Sequence, residues 1–471
     1  MTDSDYQALL DRRGEIMRRS VGIDYEQFRR GRLAWDYEGL MEVVGYDVGQ
    51  AVRIQFDRGV GATSMREARN LTELARSAAP SGCGARIFIK DEAANPSGSF
   101  KDRRASLSVF EACERGYRGV IAATSGNYGA AVASQAARAG LACIVVQEAF
   151  DSRGVGQPEI IEKARACEEF GADVIQCTVG PELFYLFLRL LEETGYFNAS
   201  LYTPFSVAGI ETLGVELAEN MRRLTGRDPD MVLVTHAGGG NVTGTARGLR
   251  KAGASATTVV GVAVDLHGLH MASDRDFNRK SFTTGHSGFA FPFTIRPDRS
   301  DVPLNAARAL RYLDRLLLVT QGEVFYATEV LSKLEGMQRG PAGNTSLAAA
   351  LALARELPRD TTLVVQETEY TGAGKHPWAQ LAFARENEVE VKTGGREENV
   401  PGSVIAIPDD PSALGVSEVD LVKLRESYLR GALAGVPPDE IQAVDIEYLA
   451  EDSRAQSDDV LRMLDESAVE A

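Results

Sequence analysis

The first reactive candidate is Lys101, which follows a predicted strand, Arg86-Lys90, and begins a predicted helix that ends at Arg115. Ser97 or Ser99 can cap that helix. The positive end of the helix dipole disfavours an added proton on an amine at this position. An amine that is also removed from water is more easily kept neutral, and a neutral amine can form a Schiff base with an aldehyde. A solvent-exposed lysine in the first turn is the ordinary alternative.

A second motif connects a predicted strand, Gly119-Ala123, to a predicted helix, Ala130-Arg138. A turn of this kind presents free backbone N–H groups at a helix N-terminus, which suit a carboxylate or a phosphate. Two hydroxyl groups of the turn add hydrogen-bond donors, its glycine permits close approach of a ligand, and its amide can contact a flat polar ligand. These residues are, in order, Thr124, Ser125, Gly126 and Asn127. An ordinary capping turn is the alternative.

Three consecutive glycines follow the apolar predicted strand Met231-Thr235 and begin a helix that ends near Lys251. Backbone amides in such a run can wrap around a phosphate group as an anion nest. The spacing matches neither the dinucleotide fingerprint nor the Walker loop, so a single phosphate monoester fits better than a nucleotide. The predicted phosphate contacts are Gly238, Gly239, Gly240, Asn241 and Thr243. A structural glycine-rich turn is the alternative.

A fourth motif follows the last predicted strand of the core, Thr361-Gln366. A hydroxyl or carboxylate group near the end of such a strand can contact a heteroaromatic nitrogen. The candidates are Thr371, Thr368 and Glu367, with Thr371 taken as a cofactor contact. A lysine for an aldehyde, an amide for a ring oxygen and a cradle for one phosphate together match the parts of pyridoxal 5′-phosphate.

The elements that must position these motifs are short apolar runs that alternate with amphipathic segments of helical length. This alternation is typical of βαβ units and predicts an α/β protein with largely parallel sheets. The predicted strands are Arg86-Lys90, Gly119-Ala123, Ala142-Gln147, Asp173-Cys177, Met231-Thr235, Val259-Val264 and Thr361-Gln366. Two sheets are expected rather than one, because the irregular stretch Asp265-Asn305 interrupts the pattern.

The composition of this 471-residue chain is that of an ordinary globular protein, with 44% hydrophobic and 25% charged residues. Its formal net charge of -16 argues against a general nucleic-acid-binding protein, which needs a basic face. The five cysteines lack metal-ligand spacing and are interpreted as reduced thiols, so no metal is expected. No apolar run is long enough to span a bilayer and no signal-like N-terminus is visible, so we expect a cytoplasmic protein that does not bind membranes.

Four motifs in this order resemble those of the fold type II pyridoxal-phosphate enzymes, the superfamily of tryptophan synthase β, threonine synthase and cysteine synthase. They are Ser97-Gly98-Ser99-Phe100-Lys101-Asp102-Arg103, Thr124-Ser125-Gly126-Asn127, Gly238-Gly239-Gly240-Asn241 and Gly340-Pro341-Ala342-Gly343-Asn344-Thr345. The resemblance implies two open, mostly parallel sheets flanked by helices, with Lys101 holding pyridoxal 5′-phosphate and Asn127 contacting it. It also implies that Thr124, Ser125 and Gly126 bind the substrate. One departure lies upstream, where Gly61-Ala62-Thr63-Ser64-Met65 stands in place of the Gly-x-Thr-Pro-Leu of many members.

The resemblance also implies a division of the chain into a core and two extensions. Residues 1–83 are expected to form a mostly helical N-terminal extension, and residues 401–471 an acidic, helical C-terminal extension. Residues 84–400 are expected to form the catalytic core, built from two interleaved α/β domains. The smaller domain covers about 104–205, and the larger covers about 84–103 and 206–400.

Blocks spread along almost the whole chain resemble the β subunits of 2-amino-4-oxopentanoate thiolases. Examples are Lys90-Asp91-Glu92-Ala93-Ala94-Asn95, Gly154-Val155-Gly156-Gln157-Pro158-Glu159 and Lys280-Ser281-Phe282-Thr283-Thr284-Gly285-His286. The resemblance implies that coenzyme A cleaves 2-amino-4-oxopentanoate to acetyl-CoA and alanine in ornithine degradation. It also implies a small α subunit as partner, with a homodimer of β chains or a higher hetero-oligomer. His286 is taken as a substrate contact, and further candidates in its loop are His267, His270, Arg275, Arg279 and Lys280.

Two alternative functions are compatible with these motifs. The first is another reaction on the same scaffold, such as a β- or γ-replacement synthase or an amino-acid dehydratase, because a fold does not fix a function. The second is a non-catalytic subunit that has kept the fold. The intact Lys101, Asn127 and glycine run argue against the second alternative.

Overall fold

The computed structural model describes residues 3–124, 126–180, 182–267, 294–370 and 377–470. Within these residues the chain forms three sheets with helices packed around them, so the predicted α/β class is confirmed. None of the described helices is long and apolar enough to cross a membrane.

The described α-helices are numbered here in chain order. They are Asp3–Asp11 (α1), Arg13–Ser20 (α2), Tyr37–Glu42 (α3), Val48–Asp57 (α4), Arg69–Ser77 (α5), Lys101–Glu114 (α6), Asn127–Ala139 (α7), Pro158–Glu169 (α8), Glu182–Thr194 (α9), Pro204–Thr225 (α10), Gly240–Lys251 (α11), Gln321–Glu335 (α12), Pro341–Glu356 (α13), Pro377–Glu386 (α14), Leu421–Leu433 (α15), Ala443–Ser453 (α16) and Ser457–Glu470 (α17).

The strands are numbered in the same way. They are Met65–Glu67 (β1), Arg86–Asp91 (β2), Gly119–Thr124 (β3), Ala142–Phe150 (β4), Asp173–Thr178 (β5), Phe197–Asn198 (β6), Met231–Thr235 (β7), Thr258–Val264 (β8), Arg315–Val319 (β9), Thr362–Glu367 (β10), Glu390–Thr393 (β11), Val404–Ile407 (β12) and Ser417–Glu418 (β13). All seven strands predicted from the sequence are confirmed, with ends that differ by at most three residues.

A seven-stranded sheet has the order β1-β2-β10-β7-β8-β9-β13. Its five inner strands are parallel, and only the edge strands β1 and β13 run antiparallel to their neighbours. All six residues of β10 are buried, as expected for a central strand covered on both faces. A four-stranded sheet has the order β5-β4-β3-β6 and is wholly parallel. Strands β11 and β12 form a separate parallel pair.

Helices α10 and α11 pack at very short range because glycines face each other at their contact. A Cβ atom built on Gly248 would lie 2.0 Å from the carbonyl oxygen of Glu211, and one built on Gly214 would lie 2.2 Å from that of Thr245. No larger residue fits at these two positions. The close packing fixes α11, and with it the glycine run at its N-terminus.

The two extensions pack on the core and on each other. The ring of Trp35 lies 6.0 Å from that of Tyr448, and the guanidinium of Arg311 donates to the buried carboxylate of Asp452 at 2.6 Å. Residues 401–471 contain the helices α15, α16 and α17 and two short strands, β12 and β13. Strand β13 forms an edge of the large sheet beside β9, and β12 pairs with β11.

Candidate active site

One cavity is lined by residues from the carboxyl ends of β3, β4, β7 and β10, and thus by both large sheets. Ligands in open α/β sheets bind beyond the carboxyl ends of the strands. The predicted site residues that line this cavity are Lys101, Thr124, Asn127, Gly238, Gly239, Gly240, Asn241 and Thr368. The structure therefore brings residues of the first three motifs, and Thr368 of the fourth, to one place.

Lys101 is the first residue of α6, and its side chain is largely removed from solvent. Its Nζ atom lies 4.6 Å from the centre of the Phe100 ring. Burial, helped by the positive charge of Arg104, lowers the pKa of Lys101 well below its ordinary value, whereas Glu369 opposes this effect. The amine of Lys101 is thus more easily kept neutral than that of an ordinary lysine, mainly because it is buried.

The start of α6 differs from the predicted serine cap. Phe100 occupies the cap position, and the hydroxyl of Ser99 accepts a hydrogen bond from the Lys101 N–H at 3.3 Å. Ser97 instead donates from its N–H and its hydroxyl to the carboxylate of Asp102, at 2.8 and 2.5 Å. These donors are needed there because Asp102 is fully buried, and its burial raises its pKa to about 6.

The turn after β3 is held in shape by the hydroxyl of Thr124. This hydroxyl donates to the carbonyl of Gly126 at 3.1 Å and accepts from the N–H groups of Gly126 and Gly129 at 2.9 and 3.2 Å. Thr124 lines the cavity, whereas Gly126 is buried beside it and is not part of the described wall. Ser125 lies outside the described residues. The substrate-binding roles of these three residues stay predictions.

Asn127, the first residue of α7, presents its side chain to the cavity. Its amide donates a hydrogen bond to the carboxylate of Glu369, and its Oδ1 atom has no partner among the described residues. Glu369 follows β10 by two residues. The amide is therefore held at the wall of the cavity by a residue of the other sheet.

Each glycine of the run after β7 is required for a different structural reason. Gly239 has a φ of +86°, which only glycine adopts readily. A Cβ atom on Gly238 would lie 2.3 Å from the hydroxyl of Tyr202, and one on Gly240 would lie 2.4 Å from a guanidinium nitrogen of Arg104. The run thus brings bare backbone to the cavity at the N-terminus of α11, where unpaired N–H groups suit an anion.

Two polar side chains of this helix start have unused donors. The Nδ2 atom of Asn241, which lines the cavity, and the hydroxyl of Thr243 are buried without a hydrogen-bond partner in the described part of the chain. Thr243 is fully buried and is not among the described wall residues. Its role as a phosphate contact stays a prediction.

The fourth motif is only partly described. Thr368 lines the cavity, whereas Thr371 lies outside the described residues. Glu367 is fully buried and does not belong to the described wall, and burial raises its pKa well above its ordinary value. Glu369, which the sequence motif did not single out, lies at the wall in its place.

Several charged or polar wall residues were not predicted. They are Arg104, Glu148, Tyr202, His236, Arg299, Asp301 and Glu369. Arg104 follows Lys101 by three residues on one helix, so helical spacing alone could have indicated it.

Burial raises the pKa of Glu148 to about 7 and lowers that of His236 to about 4. The cavity therefore holds a carboxyl group that can change its charge near neutral pH.

The candidates of the long loop have a different outcome. His267 is exposed, with a φ of +51°, and is not among the described residues that line the cavity. The other candidates lie outside the described residues; they are His270, Arg275, Arg279, Lys280 and His286.

The residues present fit pyridoxal 5′-phosphate. Lys101 offers an amine whose pKa is lowered, and Asn241 offers an unused amide donor beside bare glycine backbone. The family model for "Pyridoxal-phosphate dependent enzyme" matches residues 57–368. The chain belongs to the pyridoxal-phosphate-dependent enzyme family. The predicted cofactor, pyridoxal 5′-phosphate, is thereby confirmed.

Curated relatives of this pyridoxal-phosphate enzyme match it over nearly its full length. It is 62% identical to a "2-amino-4-ketopentanoate thiolase beta subunit" from an unknown prokaryotic organism, over 98% of each chain. It is 58% identical to the protein of the same name from Acetoanaerobium sticklandii, over 97% of each chain. These matches confirm the predicted resemblance to that group, since ketopentanoate and oxopentanoate name the same compound.

Among solved structures, a threonine deaminase from T.th. is similar to this enzyme with a TM-score of 0.54 and 25% identity. The similarity covers 68% of this chain and 96% of that chain. Together with the parallel sheets described above, it confirms the predicted fold type II architecture.

Proposed function

We propose that this chain is the β subunit of a 2-amino-4-ketopentanoate thiolase, which uses coenzyme A to cleave that substrate to acetyl-CoA and alanine. The observation that carries the proposal is the 62% identity with a relative of that name over 98% of each chain. In this reaction the thiol sulfur bonds to C4 of the substrate, the bond between C3 and C4 breaks, and C3 takes up a proton. The products are then acetyl-CoA and alanine.

The cofactor contacts are assigned to the predicted motifs. We assign the aldehyde to Lys101, the phosphate to the loop Gly238–Asn241 and the ring oxygen to the amide of Asn127. Thr368 and Glu369 are the described wall residues near the end of β10 that can face the ring nitrogen. When bound, pyridoxal 5′-phosphate condenses with amines and draws electrons from the carbon next to the amino group.

Lys101 is the group we assign to take the proton from the α carbon of the substrate. Its amine becomes available once the substrate amine replaces it, and a base must be unprotonated to act. The lowered pKa of Lys101, caused mainly by burial and then by Arg104, supports this assignment. The same side chain can return a proton later in the reaction.

Glu148 is the group we assign to take the proton of the coenzyme A thiol. It lines the cavity, it is buried, and burial raises its pKa to about 7, near the pH at which a general base works best. His236 also lines the cavity, but its pKa of about 4 makes it a weak base. His236 is therefore assigned as a ligand-binding group and not as a proton acceptor.

The name of the relatives also bears on the partners of this chain. A "beta subunit" is named as one part of an assembly, and we propose a small α subunit as partner, with β chains that pair as a homodimer or within a higher hetero-oligomer.

All five cysteines are free thiols. Free thiols support a reducing compartment, and we propose the cytoplasm.

The proposed function is tested by incubating the purified chain with 2-amino-4-ketopentanoate and coenzyme A, with and without a co-expressed small α subunit. We expect acetyl-CoA and alanine in equal amounts, and neither product from Lys101→Ala. Release of ammonia without acetyl-CoA would instead identify a dehydratase. A protein that takes up no pyridoxal phosphate would identify a non-catalytic subunit.

A further inference from the structure

Arg104 is a buried cation without a buried counter-charge. It lies one helical turn after Lys101 in α6, its side chain lines the cavity, and it is 2% exposed. The neighbouring Arg103 is also buried, but its guanidinium bonds the carboxylates of Glu92 and Glu216 at 2.7 and 2.8 Å. No carboxylate of the described residues forms such an ion pair with Arg104.

The hydrogen bonds of Arg104 are also incomplete. Its Nη1 atom donates to the carbonyl oxygen of Leu201 at 3.2 Å, while Nε is buried without a partner in the described structure. Burying a guanidinium with unused donors is costly unless an anion joins it. In agreement, burial lowers the pKa of Arg104 to about 10. The side chain therefore has both the charge and the free donors for an anionic ligand.

The position of the guanidinium identifies the place where that anion would lie. A Cβ atom built on Gly240 would be 2.4 Å from one Nη atom of Arg104, so the guanidinium lies against the first residue of α11. The positive end of that helix and its unpaired N–H groups favour an anion at the same point. The unused Nδ2 donor of Asn241 faces the same cavity.

We propose that Arg104 is the cationic contact of the cofactor phosphate and completes the cradle formed by the glycine run and Asn241. A guanidinium offers two parallel donors to phosphate oxygens, which a backbone cradle alone does not provide. The charge of Arg104 would then be neutralised by the phosphate, and the glycine at position 240 would be required to let the side chain approach. This inference rests on the placement of the cofactor in the proposed function.

The test compares two ligands without an aldehyde, so that the amine of Lys101 does not contribute. The apoenzyme is titrated with pyridoxine 5′-phosphate and with pyridoxine, and the ratio of the two affinities is measured by calorimetry. In Arg104→Met this ratio is expected to fall about 10- to 100-fold, the size of one or two charge-assisted hydrogen bonds, while the affinity for pyridoxine is kept. In Arg104→Lys, which keeps the charge but not the paired donors, a smaller fall is expected.

Arg299→Met is the matched control. Arg299 also lines the cavity, but it lies over the rings of Phe184 and Tyr202 and 3.7 Å from Asp301. We expect Arg299→Met to leave the ratio of the two affinities unchanged. An equal fall of the ratio in Arg299→Met and Arg104→Met would overturn a specific contact between Arg104 and the phosphate.

An unchanged ratio in Arg104→Met would also overturn the proposal. If that variant does not fold, Arg104→Gln, which also removes the charge, is titrated instead, and an unchanged ratio there decides the question in the same way. A raised KM for the amino-acid substrate with the ratio intact would assign Arg104 to the substrate carboxylate and refute a phosphate contact. The titration needs neither coenzyme A nor an α subunit, so its failure is distinct from a failure of thiolysis.

Discussion

The side-chain amide of Asn127 donates a hydrogen bond to the carboxylate of Glu369 at the wall of the cavity. Asn127 begins α7 after a strand of the four-stranded sheet, whereas Glu369 follows β10 of the seven-stranded sheet. One hydrogen bond thus joins the two halves of the site. Glu369 also acts on Lys101, where its charge opposes the lowering of the pKa by burial and by Arg104.

Glu369→Gln is expected to shift the capture of pyridoxal phosphate by the apoenzyme to lower pH. The negative charge of Glu369 favours the protonated form of Lys101, so its removal lowers the pKa of Lys101 further. A larger fraction of the amine is then neutral at each pH below that pKa. The rate of cofactor capture, followed by visible absorbance over a pH series, checks this. A shift of the Glu369→Gln profile to higher pH would contradict the assigned role of the carboxylate.

Glu148→Gln is expected to lower kcat for thiolysis about 100-fold or more, the usual contribution of a general base, with cofactor binding unchanged. A base acts in its deprotonated form, and the pKa of Glu148 is raised to about 7 by burial. The activity of the unaltered enzyme should therefore rise with pH through about 7, and Glu148→Gln should lose this limb of the profile. A variant with normal kcat and the same pH limb would remove Glu148 from the reaction.

The buried ion pairs beneath the site are expected to matter for stability. Arg103 and Glu92 are both at most 1% exposed and are joined at 2.7 Å. Arg103→Met leaves the carboxylate of Glu92 buried without this partner, which should cost about 3–5 kcal/mol in the free energy of unfolding. The control is Arg29→Met, which breaks an exposed pair with Glu26 and should cost less than about 1 kcal/mol. Equal midpoints of urea unfolding for the two variants would contradict this.

The same cluster gives a signed pH dependence of stability. Despite burial, the charge and hydrogen bonds of Arg103 leave the pKa of Glu92 below its ordinary value. A carboxyl group with a lowered pKa in the folded state stabilises the protein above its unfolded pKa, of about 4.3, and this contribution is lost as the pH falls through the folded pKa. The difference in unfolding free energy between the unaltered enzyme and Glu92→Gln should accordingly shrink in acid.

Much of the fold was predictable because the inner strands of parallel sheets are long, apolar and bounded by turns. Strands β3 and β7 are examples, and the sequence predicts both. Strands β6 and β13 have two residues each, which is too short for any periodicity to appear. Strand β9 was missed because it follows the long irregular stretch, where no regular alternation of strand and helix leads up to it.

The site was predictable only where its residues lie in contiguous motifs. Lys101, Asn127 and the glycine run each stand beside a strand end, so local patterns reveal them. Glu148, Arg299 and Glu369 come from separate segments and meet only in the folded chain. Their chemistry depends on burial, as the raised pKa of Glu148 illustrates, and burial of a single carboxylate is not visible in a local sequence pattern.

The most direct test is to identify the lysine that holds the cofactor. Borohydride fixes pyridoxal phosphate to its amine, and mass spectrometry of the digested holoenzyme then locates the modified residue. We expect the label on Lys101 and its loss in Lys101→Ala. Lys90 is the comparison, because it is fully buried but bonded to Glu216 at 2.5 Å and absent from the described cavity wall. A label on Lys90 or any other lysine, or a Lys101→Ala variant that keeps covalently bound cofactor and thiolysis, would contradict the account.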